Sequence, residues 1–478
     1  MDLHREKSPK KYNKEVRIMK YWQGKFNDGL DEAIGQFIST LPFDKRLYKH
    51  DIMGSIAHCT MLGEQGIIEE EETKIILKAL TQIFYDITTG KLQPENARDV
   101  YEFLDAQLYE RVGALAEKLN VARTVCDRST LNVRMYVKEL CSDLNEELKK
   151  LIETLMLVSE SKLSVVMPSE YHGSKAQPTT LAHALMAFAE AFARDAERLN
   201  DVKKHAGVMT MYSGFGTGTP FRVNRRRVAE LLQLDAISQN SLDALTDIDF
   251  IHDFMSASAA IARHIEKVCN TFIRWSGKEY AYARADASFN IDSEATPQTD
   301  TPLAMETIKL KASKCSALVH SADALDERTL SYGSPAYAAA ETVFEAESIL
   351  KNCLNILTAL IPSYSFDEQA MQKTAVADYG VAHDCADYLV ANGEAKEQAY
   401  AITGKLCEYC SQNNKRLDTL PIEIYKEFSP LFEKDIISLM RPKTAVRLRK
   451  HDGEPSEVAV RAEIRALKRK LNKLFPQK

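Results

Sequence analysis

The sequence predicts an all-α protein built around a central bundle of long helices. Helix breakers are scarce, because the chain of 478 residues holds only 19 glycines and 15 prolines, well under the roughly 12% of an average protein. Three spans without either residue carry apolar side chains at helical spacing, namely 233–276, 303–331 and 336–361. Strand signals are weak throughout. A many-stranded all-β fold is therefore disfavoured.

Two further helices are indicated by single apolar stripes. One stripe runs from Leu144 to Val158 and the other from Val460 to Leu474. A helix of 30 residues is about 45 Å long, so several such helices must lie side by side in a bundle. Burying that much helical surface usually takes partner subunits, and we expect an oligomer.

The irregular segments are the places where a helical protein can hold its chemistry. They are 168–180, 212–223 and 286–302. The second of them contains the glycine-rich run YSGFGTGTP, from Tyr212 to Pro220. It lacks the GKS or GKT ending of a phosphate loop and follows no predicted strand, so nucleotide binding is disfavoured.

Composition and charge argue against several classes of protein. The net charge is −6 and the pI is about 6.1, so no basic field favours nucleic-acid binding. No stretch of 18 apolar residues occurs, which disfavours a membrane protein. The nine cysteines are odd in number and scattered, as expected of reduced thiols in a cytoplasmic protein. The CxxC pair of Cys407 and Cys410 has no second pair beside it, and we expect neither a metal nor a cofactor.

Two loop residues are candidates for catalysis. His172 lies in the polar segment 167–178, where a histidine can act as a general acid or base. The alternative is an ordinary surface histidine, and residue type alone favours that alternative. Ser293 in the segment 286–302 is less distinctive still, because serines are common in loops.

Several runs of sequence carry a family resemblance. The segment LPFDKRLYKHDIMGSIAHCTML, from Leu41 to Leu62, resembles the N-terminal part of the argininosuccinate lyases, which belong to the fumarase/aspartase superfamily. The segment QNSLDALTDIDFIHDFMSASAAIARH, from Gln239 to His264, is similar to the first long central helix of that family. Shorter matches at 21–26, 386–390 and 445–456 extend the resemblance over nearly the whole chain.

The resemblance implies a fold and an assembly. The protomer would be all-α and fumarase/aspartase-like, with an N-terminal helical domain over 1–118, a central long-helix bundle over 119–370 and a C-terminal helical domain over 371–478. Five helices from each of four protomers would form the core of a homotetramer. Each active site would combine loops from three different subunits.

The resemblance also implies a β-elimination that releases fumarate from an amino-acid-derived small molecule. A base removes a proton beside a carboxylate, the carbanion is held as an enediolate, and an acid helps the nitrogen to leave. Fixed hydrogen-bond donors have to meet the developing charge. In the family the base resembles a serine in a mobile loop with the pattern GSSxMPxKxNP.

The counterpart of that loop lies within 286–302. Ser293 falls on the base, and Gln298 keeps the register and is assigned to substrate binding. The lysine and asparagine of the pattern are replaced by Thr299 and Thr301, so two donors for a substrate carboxylate are missing. Two acidic residues in the same loop add negative charge, which would repel a dianionic succinyl group.

A second loop, with the family pattern PGYTHLQRAQP, matches the segment around His172. His172 and Gln177 match residues of this pattern, whereas Tyr171 replaces its threonine. Glu306 stands where the family has the glutamate that orients the catalytic histidine. The resemblance therefore implies a catalytic pair of His172 and Glu306, with Tyr171 and Gln177 beside the substrate.

A third region, GRSRND in the family, reads ARTVCD here. Arg123, Thr124 and Asp127 are retained and would bind substrate, with Arg123 as the leading anchor for one carboxylate. The second arginine and the asparagine of the motif have become Val125 and Cys126. Two more carboxylate-binding groups are therefore missing.

The region that holds the arginine end of argininosuccinate resembles YNRDLQEDK. Tyr332 matches its tyrosine and would contact the substrate, but Ser334, Tyr337 and Ala340 stand where the family has arginine, glutamine and lysine. Tyr101 replaces a histidine of the upstream DIHMAIE motif. The pocket for the guanidinium group has therefore been rebuilt with more aromatic residues.

The sequence leaves three functions open. The first is an argininosuccinate-lyase-like carbon–nitrogen lyase with a changed substrate. The second is a catalytically silent homologue with a structural or ligand-binding role, and the third is an ordinary argininosuccinate lyase. The losses are concentrated in the substrate loops while the framework segments match, which favours the first. Lys175, Arg128 and Lys309 are cations that could replace the missing donors.

Overall fold

The computed structural model describes residues 32–290, 302–325, 335–376 and 379–475. Within these ranges the chain forms two compact units. The first unit draws its residues from Met1–Leu140, Val202–Phe254 and His320–Glu345, and the second from Cys141–Asp201, Met255–Val319 and Ala346–Lys478. The division into three consecutive domains stays a prediction.

Five helices come first along the described chain. They are α1 (Glu32–Phe37), α2 (Leu41–Asp44), α3 (Tyr48–Glu64), α4 (Glu70–Thr88) and α5 (Val100–Val112). Helices α3, α4 and α5 pack against one another, and α4 buries an apolar face that includes Ile76 and Leu80. The start of α4 is fixed by a capping box between Glu69 and Glu72, which satisfies two backbone N–H groups that the helix itself leaves unpaired.

Long helices dominate the middle of the chain. In order they are α6 (Val125–Ser161) and α7 (Leu181–Ala206), then the short α8 (Arg225–Leu231) and α9 (Ser241–Thr246), then α10 (Asp249–Ser276), α11 (Leu303–Ala324) and α12 (Pro335–Leu360). They confirm the helices predicted from the stripe after Leu144 and from the spans 303–331 and 336–361. The end of the first span, from 326 onward, lies outside the described residues.

The uninterrupted helix predicted over 233–276 is wrong in its first part, where α9 and α10 are separate. The reason is local hydrogen bonding. The Asn240 side chain accepts the backbone N–H groups two and three residues on, at 2.9 and 3.1 Å. Asp247 accepts the N–H of Asp249 at 2.8 Å in the same way. Short amide and carboxylate side chains compete with the helical backbone and favour helix starts, so each of them begins a new helix.

Seven helices complete the described part of the chain. They are α13 (Glu368–Ala375), α14 (Ala382–Ala391), α15 (Lys396–Gln412), α16 (Ile422–Phe428), α17 (Ile436–Leu439), α18 (Pro442–Leu448) and α19 (Glu457–Leu474). Helices α14 to α17 enclose an apolar core around Tyr425 and Phe432, whose ring centroids lie 5.1 Å apart. Helix α19 confirms the helix predicted from Val460 to Leu474.

The nine cysteines are all free in the described chain. Cys407 and Cys410 lie on α15, which packs against α14 with its Cys385. Burial raises the pKa of Cys385 to about 12 and that of Cys407 to about 11, so the reactive thiolate forms are scarce at neutral pH. Among the described residues, no group of three or more His, Cys, Asp or Glu side chains could hold a metal ion.

The strands in the described chain are short and form two-stranded sheets. They are β1 (Val166–Tyr171), β2 (Ser174–Thr180), β3 (Val208–Met209), β4 (Ala236–Ile237), β5 (Ala283–Arg284) and β6 (Ser365–Phe366). Strands β1 and β2 form an antiparallel hairpin, β3 and β4 pair in parallel, and β5 and β6 pair antiparallel. No helix within the described ranges combines the length and the apolarity needed to cross a membrane.

Candidate active site

The first group of predicted site residues lies at the start of α6, in the first unit. The hydroxyl of Thr124 accepts the N–H of Asp127 at 3.1 Å, and the Asp127 carboxylate accepts the N–H of Thr124 at 2.9 Å. This reciprocal pair resembles a capping box, because each side chain accepts the backbone N–H of the other residue. Thr124 and Asp127 therefore fix the beginning of α6, and their contact with substrate stays a prediction.

Asp127 also holds the glycine-rich loop that follows β3. Its second oxygen accepts the N–H groups of Ser213 and Gly214 at 2.8 and 3.2 Å. The side chain is buried, and burial raises the pKa of Asp127 although these hydrogen bonds oppose the shift. The retained aspartate thus joins the start of α6 to the loop from Tyr212 to Pro220.

Glycines give this loop its conformation. Gly214 and Gly218 have φ values of +61° and +78°, in the left-handed region that other residues rarely adopt. The close approach occurs at Gly214, where a Cβ atom would lie 2.5 Å from the carbonyl oxygen of Gly218. At Gly218 a Cβ atom would meet nothing within 4 Å.

We therefore expect Gly214→Ala to destabilise the protein by about 2–4 kcal/mol, from the left-handed backbone together with a clash against main-chain atoms. Gly218→Ala is the matched control, because it carries only the backbone penalty of about 1 kcal/mol. Guanidinium chloride unfolding followed by circular dichroism compares the two variants. Equal losses would contradict the close packing of this loop.

Arg123 is held facing the protein interior. Its Nη1 donates to the Ser55 hydroxyl at 2.8 Å and its Nη2 to the Asn120 side-chain oxygen at 3.3 Å. The residue is 8% exposed, and its Nε has no hydrogen-bond partner in the described part of the chain. Burial, and then the charge of Arg128, lowers the pKa of Arg123 to about 10. The side chain therefore stays a cation at neutral pH, and its Nε–H has no partner among the described residues.

Arg128 lies in a buried ion cluster. Its Nε and Nη2 donate to the two oxygens of Asp51 at 3.0 and 2.7 Å, and its Nη1 donates to both oxygens of Asp105 at 2.9 and 3.0 Å. Asn132 donates to Asp51 at 2.9 Å. Burial alone would raise the pKa of Asp51, but Arg128 and Arg123 hold it below its usual value. Arg128 is fully paired with these two aspartates. It is therefore not available to bind a substrate carboxylate in place of the lost family donors.

A buried histidine supports the glycine-rich loop from the other side. The Nε2 of His58 lies 3.0 Å from the carbonyl oxygen of Leu119, and its Nδ1 lies 2.8 Å from the Tyr212 hydroxyl. Because a carbonyl only accepts, Nε2 carries the proton and Nδ1 accepts from Tyr212. Burial, reinforced by Arg123, holds the pKa of His58 well below its usual range, so the ring is neutral.

Sequence reasoning missed the roles of His58 and Asp51. A signal was present, because the two residues stand seven positions apart in the segment from Leu41 to Leu62. That spacing places them on one face of a helix. Both are buried on α3, and polar residues at such a spacing inside an apolar helix indicate a buried polar network.

The second group of predicted site residues lies on the β1–β2 hairpin, in the second unit. The register pairs Tyr171 with Ser174, so His172 and Gly173 form a two-residue turn with φ values of +49° and +77°. Positive φ at both positions is the geometry of a type I′ turn. The irregular segment predicted over 168–180 is therefore wrong, because the tight turn lets the flanking residues pair as strands.

The hairpin presents its tip to solvent. His172 is exposed, and Tyr171 is 70% exposed. Their ring centroids lie 4.3 Å apart in an edge-on arrangement. Gln177 is half-buried on β2, and its backbone carbonyl accepts the Ser169 hydroxyl at 2.8 Å. The structure therefore gathers Tyr171, His172 and Gln177 on one hairpin.

Glu306 lies in the first turn of α11, also in the second unit. Its carboxylate pairs with Lys309 at 2.6 Å, and both side chains are partly exposed. The hydrogen bonds and ion pairs between described residues do not join Glu306 to His172. The catalytic pair of His172 and Glu306 stays a prediction. Lys309, proposed from the sequence as a replacement cation, already has a carboxylate partner.

Three further predicted site residues, Ser293, Gln298 and Tyr332, lie outside the described residues. Lys175 remains as a candidate cation. It is half-buried on β2, opposite Glu170 in the hairpin register.

Comparison with known proteins agrees with this architecture. A lyase family model matches residues 24–316, and a model of the argininosuccinate lyase C-terminal region matches 379–447. The argininosuccinate lyase of Desulforamulus reducens is 36% identical over 458 residues, covering 95% of this chain and 100% of the relative. That of Desulforudis audaxviator is 34% identical over 460 residues, covering 96% and 100%.

Solved structures share the fold. EDDS lyase in complex with formate has a TM-score of 0.77 at 22% identity, covering 90% of this chain and 87% of that one. A fumarate lyase from Mesorhizobium sp. BNC1 has a TM-score of 0.71 at 15% identity, covering 91% and 97%. The fold is thus the all-α fold of the fumarase/aspartase superfamily. Together with the sequence matches, this places the chain plainly: it belongs to the argininosuccinate lyase family.

Proposed function

We propose that the protein is a carbon–nitrogen lyase that splits an adduct of fumarate and an amine, or forms it in reverse, with a substrate other than argininosuccinate. The observation that carries this proposal is the orientation of the charged groups at the start of α6. Arg123 and Asp127 are buried and hydrogen-bonded, and Arg128 is paired to two carboxylates. The side chain that is exposed there is Val125, at 47%.

The succinyl end of the substrate would accordingly meet few cations. By resemblance Arg123 is the leading anchor for one carboxylate, but in the single chain its side chain is buried and its Nε–H faces the interior. Each charge-assisted contact that is lost and not replaced costs roughly 1.5–3 kcal/mol. The family donors replaced by Val125, Cys126, Thr299 and Thr301 therefore weaken the binding of a dianionic succinyl group, and we propose a less anionic substrate.

The amine end would also differ. Tyr337 stands in the segment that resembles the family's arginine-binding region, and its hydroxyl is bonded to Asp44 and Thr40. The neighbouring Ala340 is fully buried where the family has a lysine. The glutamine and the lysine of the family's arginine-binding region are therefore both absent, and the Tyr337 ring stands in the place of the glutamine.

For the chemical step we propose Ser293 as the base that removes the proton, with His172 and Glu306 on the other side as the acid or the charge-stabilising pair. The tip of the hairpin is open in the single chain, which agrees with a site completed by other subunits. We propose a homotetramer with composite active sites, in which His172 meets loops of neighbouring copies. The reaction itself needs no metal or cofactor, because proton transfers and hydrogen bonds suffice.

A second candidate function is ordinary argininosuccinate cleavage. It is favoured by the relatives, because the proteins at 36% and 34% identity are named argininosuccinate lyase. A catalytically silent role is the remaining alternative.

The test is a substrate panel. The purified protein is incubated with argininosuccinate and with adducts of fumarate and other amines, and in reverse with fumarate and each amine, while the ultraviolet absorbance of fumarate is followed. Ser293→Ala serves as the blank for contaminating enzymes. We expect an adduct other than argininosuccinate to be the best substrate. If argininosuccinate is best, the second candidate is correct, and if no adduct reacts the protein is silent.

A further inference from the structure

Three side-chain oxygens form a closed ring in the first unit. Asp44 is the last residue of α2 and is fully buried. One of its oxygens, Oδ2, receives hydrogen bonds from the Thr40 hydroxyl at 2.7 Å and from the Tyr337 hydroxyl. The hydroxyls of Thr40 and Tyr337 also lie 2.7 Å from each other. Each of the three groups therefore contacts the other two.

The number of hydrogen atoms that the three contacts need indicates whether the Asp44 carboxyl group is charged. Three contacts between oxygens need three hydrogen atoms, and the two hydroxyls supply one each. An ionised carboxylate supplies none, so with Asp44 charged one contact would place two lone pairs 2.7 Å apart. A proton on Asp44 removes this conflict, because each group then donates one hydrogen bond and accepts one.

The geometry points to Asp44 as a neutral carboxylic acid that closes this ring with Thr40 and Tyr337, so that the half-buried Tyr337 brings no negative charge to the amine end of the substrate. The inference rests on the proposed function for its last step, because Tyr337 is assigned to the amine end by resemblance. The substrate class that follows is an adduct whose amine portion carries no second positive charge.

The surroundings of Asp44 favour the neutral form. Burial is the largest influence and raises the pKa of Asp44, and the nearby carboxylate of Asp99 acts in the same direction. Hydrogen bonds from Tyr337, Thr40 and the Val100 N–H oppose the shift without reversing it. Within the described chain, the hydrogen bonds and ion pairs of Asp44 involve no lysine or arginine.

Three cations near the ring are engaged elsewhere. Arg46, two residues after Asp44, lies over the ring of Phe344, at 5.4 Å from its centroid. Arg98 pairs with Asp99 at 3.1 Å. Arg128 lies over the ring of Tyr101, at 5.2 Å from its centroid, and the Tyr101 ring in turn lies 5.9 Å from that of Tyr337. Arg128 is already neutralised by its own carboxylate partners. None of these cations pairs with Asp44, which agrees with a neutral carboxylic acid.

Infrared difference spectroscopy tests the ring directly. The parent protein at neutral pH is expected to show the carbonyl band of a buried carboxylic acid, shifted by transfer into heavy water, and Asp44→Asn is expected to lose it. Asp51→Asn is the matched control and should keep the band, because Arg128 and Arg123 hold the pKa of the buried Asp51 below its usual value. The inference is overturned if the parent shows no carboxylic-acid band, or if every such band of the parent is still present in Asp44→Asn.

The pH dependence of stability provides a second measurement. The folded pKa of Asp44 is raised, so its stabilising contribution is complete below the ordinary pKa of an aspartate and is lost as the pH rises through the raised value. The asparagine of the Asp44→Asn variant would keep both a donor and an acceptor for the hydroxyls and cannot ionise. We expect the melting temperature of the parent to fall relative to that of Asp44→Asn as the pH rises. A difference that stays constant, or changes in the opposite direction, contradicts a neutral Asp44.

The substrate panel separates this inference from the proposed function. Among fumarate adducts that react, those of simple monoamines should have a kcat/KM at least about tenfold above those of amines with an added guanidinium group, as expected when about 1.4 kcal/mol of ion pairing is absent. The reverse preference overturns the assignment of substrate class. If no adduct reacts, the proposed function fails, whereas the infrared band still decides the state of Asp44.

Discussion

Replacement of Arg128 by methionine is expected to lower the free energy of unfolding by about 3–5 kcal/mol. The methionine fills much of the same space, but it leaves Asp51 and Asp105 facing each other without the guanidinium group that binds both of them. Asp51 is 2% exposed, so its carboxylate cannot recover the lost bonds from water. Guanidinium chloride unfolding of Arg128→Met beside the parent measures the loss.

The matched control is Arg227→Met. Arg227 also binds a carboxylate through two nitrogens, that of Glu64, but both side chains are about two-fifths exposed. A pair at the surface contributes about 0–1 kcal/mol, so the control variant should be nearly as stable as the parent. Adding Asp51→Asn and Asp105→Asn to Arg128→Met should restore part of the stability, because the stranded charges are then removed. Similar losses for the two single variants would show that the cluster is not a buried ion pair.

The second large effect is expected on catalysis. His172→Asn should lower kcat for the best substrate of the panel by about 10²–10⁴-fold, the usual contribution of a general acid or base. Asparagine is the suitable replacement because His172 has a φ of +49°, and asparagine tolerates the left-handed region better than most residues. The hairpin turn is therefore preserved, and the loss reports on the imidazole itself. Steady-state measurement of fumarate release gives kcat and KM separately.

The control for this experiment is His451→Asn, because His451 is another exposed histidine and lies between α18 and α19. Its kcat should equal that of the parent. Circular dichroism should show that both variants keep the helical content of the parent. If His172→Asn reacts as fast as the parent, His172 is a surface residue without a catalytic role, and the assignment of Glu306 as its partner falls with it.

The long helices were predictable because they depend on local properties of the chain. Scarce breakers and apolar residues at helical spacing are enough to predict the starts of α11 and α12 to within one residue. The errors arose at two kinds of local feature, side chains that bind nearby backbone N–H groups and a tight turn with positive φ. Asn240 and Asp247 interrupt the span 233–276 in this way, and the turn at His172 converts an expected loop into a hairpin.

The candidate site was predictable only in part. The family motifs locate His172, Arg123 and Asp127 because each of these residues matches the residue type at its motif position. Asn120 and Thr124, which bind Arg123 and Asp127, are only three positions away, but other partners are distant in the chain and were not predictable. Asp127 binds the N–H of Ser213, 86 positions away, and the Asp51 partner of Arg128 is 77 positions away. Arg128 therefore looked like a free cation until its two carboxylates were seen.

The sequence by itself determined the helical class of this protein, its family and the positions at which family donors are missing. Only the tertiary structure decided which of the remaining charges are available and which are neutralised. The ring of Thr40, Asp44 and Tyr337 joins residues up to 297 positions apart, and its charge depends on counting protons among three oxygens. Such a count requires the distances between atoms. Residue type alone does not decide whether a carboxyl group is protonated, because its pKa depends on burial and on the hydrogen-bond donors around it.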